Sequence, residues 1–192
     1  MRRALTGLSV LVYLLLLPSA WPLNAGLGEP PSSVGRDTPY ATAKGFSDAV
    51  RQGNYALAAH YLDLDFLPRE EQRERGILLA RQLKFVLDHK LPLALSSLSR
   101  EPQGDPAEPR FDELGRLSVG DDSYPIRLAQ VAVGGGRRAW VFSEATVRAI
   151  SPLYEAYGPA RLSQVLPSVL FERSLLGMEP WQWLGLLGVM VG

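Results

Sequence analysis

The stretch AVRQGNYALA, residues 49–58, has the spacing that turns one helix back against another. The small residues Ala49 and Ala58 would let two helices approach closely. Gly53 is placed to end the first helix in a left-handed conformation, and the side chain of Asn54 can cap the next. The stretch therefore predicts an antiparallel helical hairpin. No second copy follows about 34 residues later, so a repeat solenoid is not expected.

Helical patterns continue on both sides of this hairpin. Thr38 can cap the first helix with Pro39 in its first turn, and Pro68 can open a third helix. The third helix has an apolar stripe formed by Leu79, Leu83, Val86 and Leu87. The residues that we expect in the core are Phe46, Tyr55, Leu62, Leu83 and Trp140.

After a proline-rich loop at residues 100–110 the pattern changes from helical to extended. Short strands are predicted at Leu117–Val119, Ile126–Val133 and Ala139–Phe142. Apolar and polar residues alternate in the second of these, which indicates a half-buried antiparallel meander. Ser143 can cap a further helix, and Gly158 ends the pattern. The prediction is an α+β domain over residues 39–158.

The N-terminus has the three parts of a secretory signal peptide. Two arginines precede the apolar run Leu8–Leu17, which ends at Pro18 and two small residues. The run is shorter than the ~20 apolar residues that a membrane-spanning helix needs. We expect residues 1–25 to be a signal segment that is removed during export, with the mature chain beginning somewhere between Trp21 and Gly26. Residues 26–38 are rich in Gly, Pro and Ser, a composition that predicts a flexible leader.

The C-terminal part is increasingly apolar. Residues 159–178 carry one apolar stripe, typical of an amphipathic helix that lies on a membrane surface or packs on a domain. Residues 179–192 have no charge after Pro180, and Trp181 and Trp183 match the aromatic belt at a lipid headgroup boundary. The sequence predicts the start of a transmembrane helix, truncated because this run covers only ~18 Å of a ~30 Å bilayer core. The alternative is a buried C-terminal helix of a soluble domain.

Composition argues against several functional classes. Acidic and basic residues number 20 each, so no basic field exists to attract nucleic acid, and none is expected as a partner. The chain has no cysteine, which excludes disulfides and thiolate metal sites. The two histidines, His60 and His89, lack the spacing of zinc ligands, so neither a metal nor a cofactor is predicted.

The remaining polar motifs have simpler structural interpretations. Asp63 and Asp65 are expected to cap the turn that follows them, and Asp121 with Asp122 is typical of a β-turn. Residues 134–136, three glycines, favour a hairpin turn over a phosphate cradle, because arginines and a strand follow them. No motif of a catalytic nucleophile or paired catalytic carboxylates is present, and the chain is not predicted to be an enzyme.

Four stretches together resemble the extracytoplasmic N-terminal region of bacterial proteins related to the small-conductance mechanosensitive channels, the MscS family. In chain order they are FSDAVRQGNYALAAHYLDLDFLP, RGILLARQLKFVLD, RAWVFSEATVRAISPLYEAYG and LLGMEPWQWLGLL. The resemblance covers most of residues 38–187. It implies a signal peptide, an α+β module and then the first transmembrane helix. The pore helix and the cytoplasmic domains of the family have no counterpart in this sequence.

The resemblance implies that the chain is the periplasmic module of a tension-gated channel. Such a channel is a passive pore for ions and solutes and needs no cofactor. The implied location is the periplasmic side of the bacterial inner membrane. The implied partners are the lipid bilayer and, in a full channel, further copies of the chain in a homo-oligomer. The alternative is a free or tethered periplasmic binding or interaction domain without channel activity.

Overall fold

The computed structural model describes residues 23–91 and 95–158. This part of the chain is an α+β fold of four α-helices and a three-stranded antiparallel sheet, the class that the sequence predicts. The elements are α1 Pro39–Arg51, α2 Tyr55–Ala59, α3 Arg69–Lys90, β1 Phe111–Val119, β2 Asp122–Ala132, β3 Arg138–Phe142 and α4 Glu144–Tyr157. Single 3-10 turns are at Ala25–Leu27 and Leu95–Ser97.

Local capping sets the helix ends near the predicted positions. The Thr38 side chain accepts a 3.0 Å hydrogen bond from the backbone N–H of Ala41 at the start of α1. Gly53 has a φ of 73°, the left-handed region expected of it. Asn54 caps α2 by accepting a 3.0 Å bond from the N–H of Leu57. The predicted capping residues are therefore confirmed, although α2 has only five residues.

The long helix α3 lies at the centre of the domain and packs against both α2 and α4. Its buried face contains Gln72, Gly76, Leu79, Ala80, Leu83, Val86 and Leu87. Gly76 permits close contact, because a Cβ atom there would lie 2.7 Å from Cδ1 of Leu64 and 3.1 Å from Cβ of Ala59. The apolar stripe predicted for this helix is confirmed.

The sheet is the predicted meander, with strand order β1-β2-β3 and both pairs antiparallel. Its register places Leu117 opposite Tyr124 and Leu128 opposite Phe142. The first strand begins at Phe111, well before the predicted start at Leu117. Polar side chains and a bulge between Glu113 and Gly115 interrupt the alternation in its first half, and the strand forms there because β2 supplies the hydrogen-bonding partner.

The outer edge of β3 is paired with the loop after α2. Phe142 donates a 2.8 Å backbone hydrogen bond to the carbonyl oxygen of Tyr61, and its own carbonyl accepts one of 3.0 Å from Asp63. The rings of Phe46 and Phe142 meet edge to face with centroids 5.0 Å apart. Helices and sheet therefore share one core around β3.

Four of the five expected core residues are fully buried: Phe46, Leu62, Leu83 and Trp140. Tyr55 lies at the margin of the core, where the guanidinium of Arg81 stands over its ring at 5.0 Å. An aromatic residue near a short helix end can satisfy the helical spacing without being enclosed.

The segment predicted to be a flexible leader, residues 26–38, packs against the domain, so that expectation is wrong. Leu27 is only 8 % exposed and belongs to the core. The carbonyl of Arg36 accepts a 2.8 Å bond from the N–H of Trp140 in β3. The segment has few apolar side chains, but backbone hydrogen bonds and a few buried contacts hold it in place. Among the described residues, packed structure therefore begins at Leu23, well before Pro39.

Some of the predictions concern residues outside the described ranges. They are the predictions for the apolar run of the signal peptide, for the amphipathic segment 159–178, and for the apolar segment 179–192 with its interface residues Trp181 and Trp183. Among the helices in residues 23–91 and 95–158, none combines the length and the apolar character that a membrane span requires.

Candidate functional site

A cleft of about 580 Å³ separates the N-terminal strap, defined here as residues 23–37, from the turn between β2 and β3. Its charged lining residues are Glu29, Arg36, Asp37, Arg137 and Arg138. Leu23, Val34 and Ala139 supply part of its apolar wall. A concave site with both apolar walls and a few charged groups is the usual form of a ligand pocket.

The strap is anchored at its start by Asn24, which is 1 % exposed and has a left-handed backbone with φ 56°. The Asn24 amide nitrogen donates to the carbonyl of Leu62 at 2.7 Å, and its amide oxygen accepts from the N–H of Leu64 at 2.8 Å. The backbone N–H of Asn24 donates to a carboxylate oxygen of Asp65 at 2.8 Å. The Asn24 side chain therefore provides hydrogen-bond partners for two buried backbone groups, the carbonyl of Leu62 and the N–H of Leu64.

Gln72 of α3 provides the second anchor. Its side-chain oxygen accepts a 2.7 Å bond from the N–H of Gly26, and its nitrogen donates to the carbonyls of Leu64 and Leu67 at 3.2 Å each. Gly26 lies so close to α3 that a Cβ atom there would overlap the carbonyl oxygen of Arg69. Only glycine fits at this contact.

Arg36 holds the strap over β3 and also lines the cleft. Its guanidinium donates a 2.9 Å bond to the carbonyl oxygen of His60. Burial lowers the pKa of Arg36, while the nearby Tyr61 and Asp37 act in the opposite direction. The guanidinium still keeps its proton at neutral pH and is a cation there.

Arg137 and Arg138 supply two further cations at the start of β3. The Arg138 guanidinium donates to the side-chain oxygen of Gln130 at 3.2 Å. With Arg36 there are three arginines in the lining against two carboxylates, Glu29 and Asp37. Guanidinium groups bind carboxylates and phosphates with paired hydrogen bonds, so the cleft is suited to an anionic group.

The three glycines of the β2–β3 turn form a hairpin connection, as the sequence predicts. Gly134, Gly135 and Gly136 all have positive φ, between 59° and 89°. The N–H of Arg137 donates to the carbonyl of Gly134 at 3.1 Å, and the N–H of Val133 donates to the carbonyl of Arg137 at 3.0 Å. The turn brings Arg137 and Arg138 to the rim of the cleft.

A smaller cavity of about 190 Å³ also borders the strap, lined by Leu27, His60 and Arg73 among others. His60 is 8 % exposed. Burial lowers its pKa, and the positive charges of Arg36 and Arg73 lower it further, so the imidazole is neutral near pH 7. The other histidine, His89, lies on α3, where its ring stacks on that of Phe85 with centroids 4.1 Å apart.

Asp63 lies in the loop that the strap covers. Burial raises the pKa of Asp63 to about 6. A hydrogen bond from the backbone of Asp65 acts in the opposite direction, whereas the negative charges of the Asp65 and Glu144 carboxylates raise the pKa further. Asp63 accepts that 3.3 Å bond from the N–H of Asp65, whereas Asp65 accepts from Asn24. The predicted capping role is therefore found for Asp63 alone; α3 begins after Pro68 without a side-chain cap.

Sequence patterns did not identify the cleft. The predicted interface residues Trp181 and Trp183 lie outside the described residues, and no motif in the sequence pointed to Asn24 or Arg36. Within residues 23–91 and 95–158, no group of three or more His, Cys, Asp or Glu side chains is arranged to hold a metal ion. Comparisons of the chain with protein-family models, curated proteins and solved structures each found no match.

Proposed function

We propose that this chain is the extracytoplasmic module of a tension-gated channel of the MscS type. One observation carries the proposal. The first three stretches that resemble that family, residues 46–68, 75–88 and 138–158, also supply most of the shared core. In this proposal α1 and α2 form the predicted helical hairpin.

The three stretches pack directly on one another. Phe46 of the first stretch contacts Phe142 of the third, and Leu62 forms a bridge with Phe142. Gly76 of the second stretch admits Leu64 and Ala59 of the first. The stretches that resemble the family therefore belong to one folded unit, as the proposal requires.

The attachment to the membrane follows from the C-terminal sequence. We infer that residues 159–178 approach the bilayer surface, and that residues 179–192 enter it with Trp181 and Trp183 at the headgroup boundary. The module would then face the periplasm from the bacterial inner membrane. The lipid bilayer and, in a complete channel, other copies of the chain are its partners.

The proposed mechanism is mechanical and needs no cofactor. Membrane tension opens the pore of such a channel because the open state occupies more bilayer area, and ions and solutes then leave passively. The pore itself is not assigned to any residue of this chain. The module's part is to adjust gating or to engage a partner at the cell envelope.

The second candidate is a free or tethered periplasmic binding domain without channel activity. The cleft between the strap and β3 favours it, because three arginines converge there beside an apolar wall. Its ligand would carry a carboxylate or another anionic group.

Fractionation tests the membrane attachment. The chain, produced in a bacterial host, is expected in the inner-membrane fraction. Leu184→Arg combined with Leu187→Arg should release it, because charged side chains are costly within the bilayer. Leu78→Arg, at a site that is 52 % exposed on α3, is the matched control and should stay with the membrane. A stable, detergent-free monomer of the unaltered chain in the periplasm would contradict the tethered arrangement.

Electrophysiology tests the channel. Membrane patches from cells that express the gene's entire reading frame should carry currents that increase with applied suction and are absent without the gene. Patches without such tension-dependent currents would leave the binding domain as the function.

Calorimetry with a tetraglutamate peptide as the probe tests the binding domain. Arg137→Ser with Arg138→Ser should weaken binding at least tenfold, because both guanidinium groups line the cleft. Arg51→Ser with Arg75→Ser, both highly exposed, is the matched control and should leave binding unchanged. Equal affinities in the two double variants would exclude the cleft as the anion site.

A further inference from the structure

Leu23 and Asn24 are part of the folded domain, although the sequence places them inside the predicted signal segment 1–25. Leu23 is 8 % exposed and Asn24 is 1 % exposed. A signal peptide is removed from the mature protein, so its residues should not be needed for the fold. The structure therefore bears on where the chain is cut.

A cut after Ala25 would remove the anchor of the strap. The carbonyl of Leu62 and the N–H of Leu64 would lose the Asn24 side chain, their partner in the interior. The N–H of Leu27 would lose the carbonyl of Asn24, which it reaches at 2.8 Å. Buried backbone groups without partners are strongly unfavourable, so a chain starting at Gly26 would be destabilised.

The cut would also create a charged amino group at a crowded position. Gly26 donates its N–H to Gln72 at 2.7 Å and lies against the carbonyl of Arg69. An ammonium group is larger and more strongly hydrated than the peptide N–H it would replace. The other small-residue exit in the sequence, Ser19-Ala20, lies upstream of every contact described above.

We propose that the leader is removed at the Ala20–Trp21 bond, so that the mature chain begins Trp21-Pro22-Leu23-Asn24. The inference rests on the export that the proposed function includes. A signal endopeptidase at the outer face of the membrane hydrolyses the bond with one water molecule. Ala20 leaves with the new carboxylate at the end of the released 20-residue peptide. Trp21 receives the proton and becomes the new amino terminus.

N-terminal sequencing and intact-mass measurement of the exported full chain test the assignment. The expected result is a chain that has lost residues 1–20 and begins with Trp21. Ala20→Leu should block processing, because the bond to be cut needs a small residue before it. Ala25→Leu, the matched control, should leave the N-terminus at Trp21.

The outcomes separate this inference from the proposed function. If the exported protein begins at Gly26, at Met1 or at any residue other than Trp21, the assignment of the cleaved bond is wrong. Export itself is not contradicted by that result. A full-length chain that stays in the cytoplasm overturns export, and with it both the proposed function and this inference. Processing that persists in Ala20→Leu and stops in Ala25→Leu likewise overturns the Ala20–Trp21 assignment.

Discussion

The side-chain oxygen of Asn24 accepts a 2.8 Å hydrogen bond from the backbone N–H of Leu64, forty residues further along the chain. The nitrogen of the same amide donates to the carbonyl of Leu62. Asp63, between these two, pairs with Phe142 of β3. One buried amide therefore joins the strap to the loop that extends the edge of the sheet.

Replacing Asn24 with Ala should strongly destabilise the domain. The change leaves two buried backbone groups without partners, and each such loss costs roughly 1–3 kcal/mol. We expect the free energy of unfolding to fall by about 2–4 kcal/mol, measured by chemical denaturation of the purified chain. Asn54→Ala is the matched control, since its cap on Leu57 is exposed and is worth about 1 kcal/mol. Equal losses in the two variants would contradict the anchoring role.

Gly26→Ala should loosen the strap from α3. The new methyl group would overlap the carbonyl oxygen of Arg69, and such overpacking costs about 1–3 kcal/mol. Gly35→Ala is the control, because no atom lies within 4 Å of the place where its Cβ would stand and its φ is not in the left-handed region. Thermal unfolding should show a lower midpoint for Gly26→Ala only. Unchanged midpoints in both variants would argue that the strap is not packed.

Thr146→Val should weaken the contact between α4 and β2. The buried hydroxyl accepts a 3.0 Å bond from the N–H of Arg127 and lies 3.0 Å from the hydroxyl of Ser143. Valine has a similar shape but no oxygen, so we expect a loss of about 2 kcal/mol. Thr42→Val removes a single donor to the carbonyl of Trp140 and should cost about 1 kcal/mol. The prediction fails if Thr42→Val is the more damaging change in denaturation experiments.

Asp63→Asn should change how stability depends on pH. The folded-state pKa of Asp63 is about 6, above the ordinary 3.8, so the folded protein binds a proton more readily than the unfolded chain. The ionised group therefore destabilises the fold above pH 6, and stability rises as pH falls from about 6 to 4. Asparagine removes this dependence while it can still accept the bond from Asp65.

The expected effect of Asp63 on the free energy of unfolding is modest, because Asp63 is only half-buried. A shift of this size corresponds to roughly 3 kcal/mol without screening, and solvent reduces it to about 1 kcal/mol. Asp63→Asn should be more stable than the unaltered chain by that amount at pH 7.5 and equal to it near pH 4. His60, whose pKa is lowered, has the opposite slope, so the difference between the two proteins is the quantity to measure. A constant difference across this range would contradict the shift.

Local chemistry was predictable wherever a short stretch satisfies its own backbone. Thr38, Asn54 and Ser143 each cap the helix that follows them, through a bond to an N–H three residues later. Gly53 takes the left-handed conformation that favours glycine. These features depend on neighbours in sequence, and spacing alone reveals them.

Long-range contacts were the ones that the sequence did not reveal. The first half of β1 lacks an alternating pattern, and its pairing depends on β2. The strap has the composition of a flexible segment, yet Asn24 and Arg36 hold it through bonds to Leu62, Leu64 and His60. A polar side chain that satisfies a distant backbone group leaves no periodic signal.

The sequence by itself determined the α+β class, the helix caps, the glycine turn and most of the buried core, because apolar periodicity and capping act over a few residues. Only the tertiary structure decided that the strap is packed from Leu23 onward and that Arg36, Arg137 and Arg138 converge on one cleft. Arg36 is about a hundred positions from the other two in sequence, and the hydrogen bonds of the strap to β3 and its neighbouring loop bring them together.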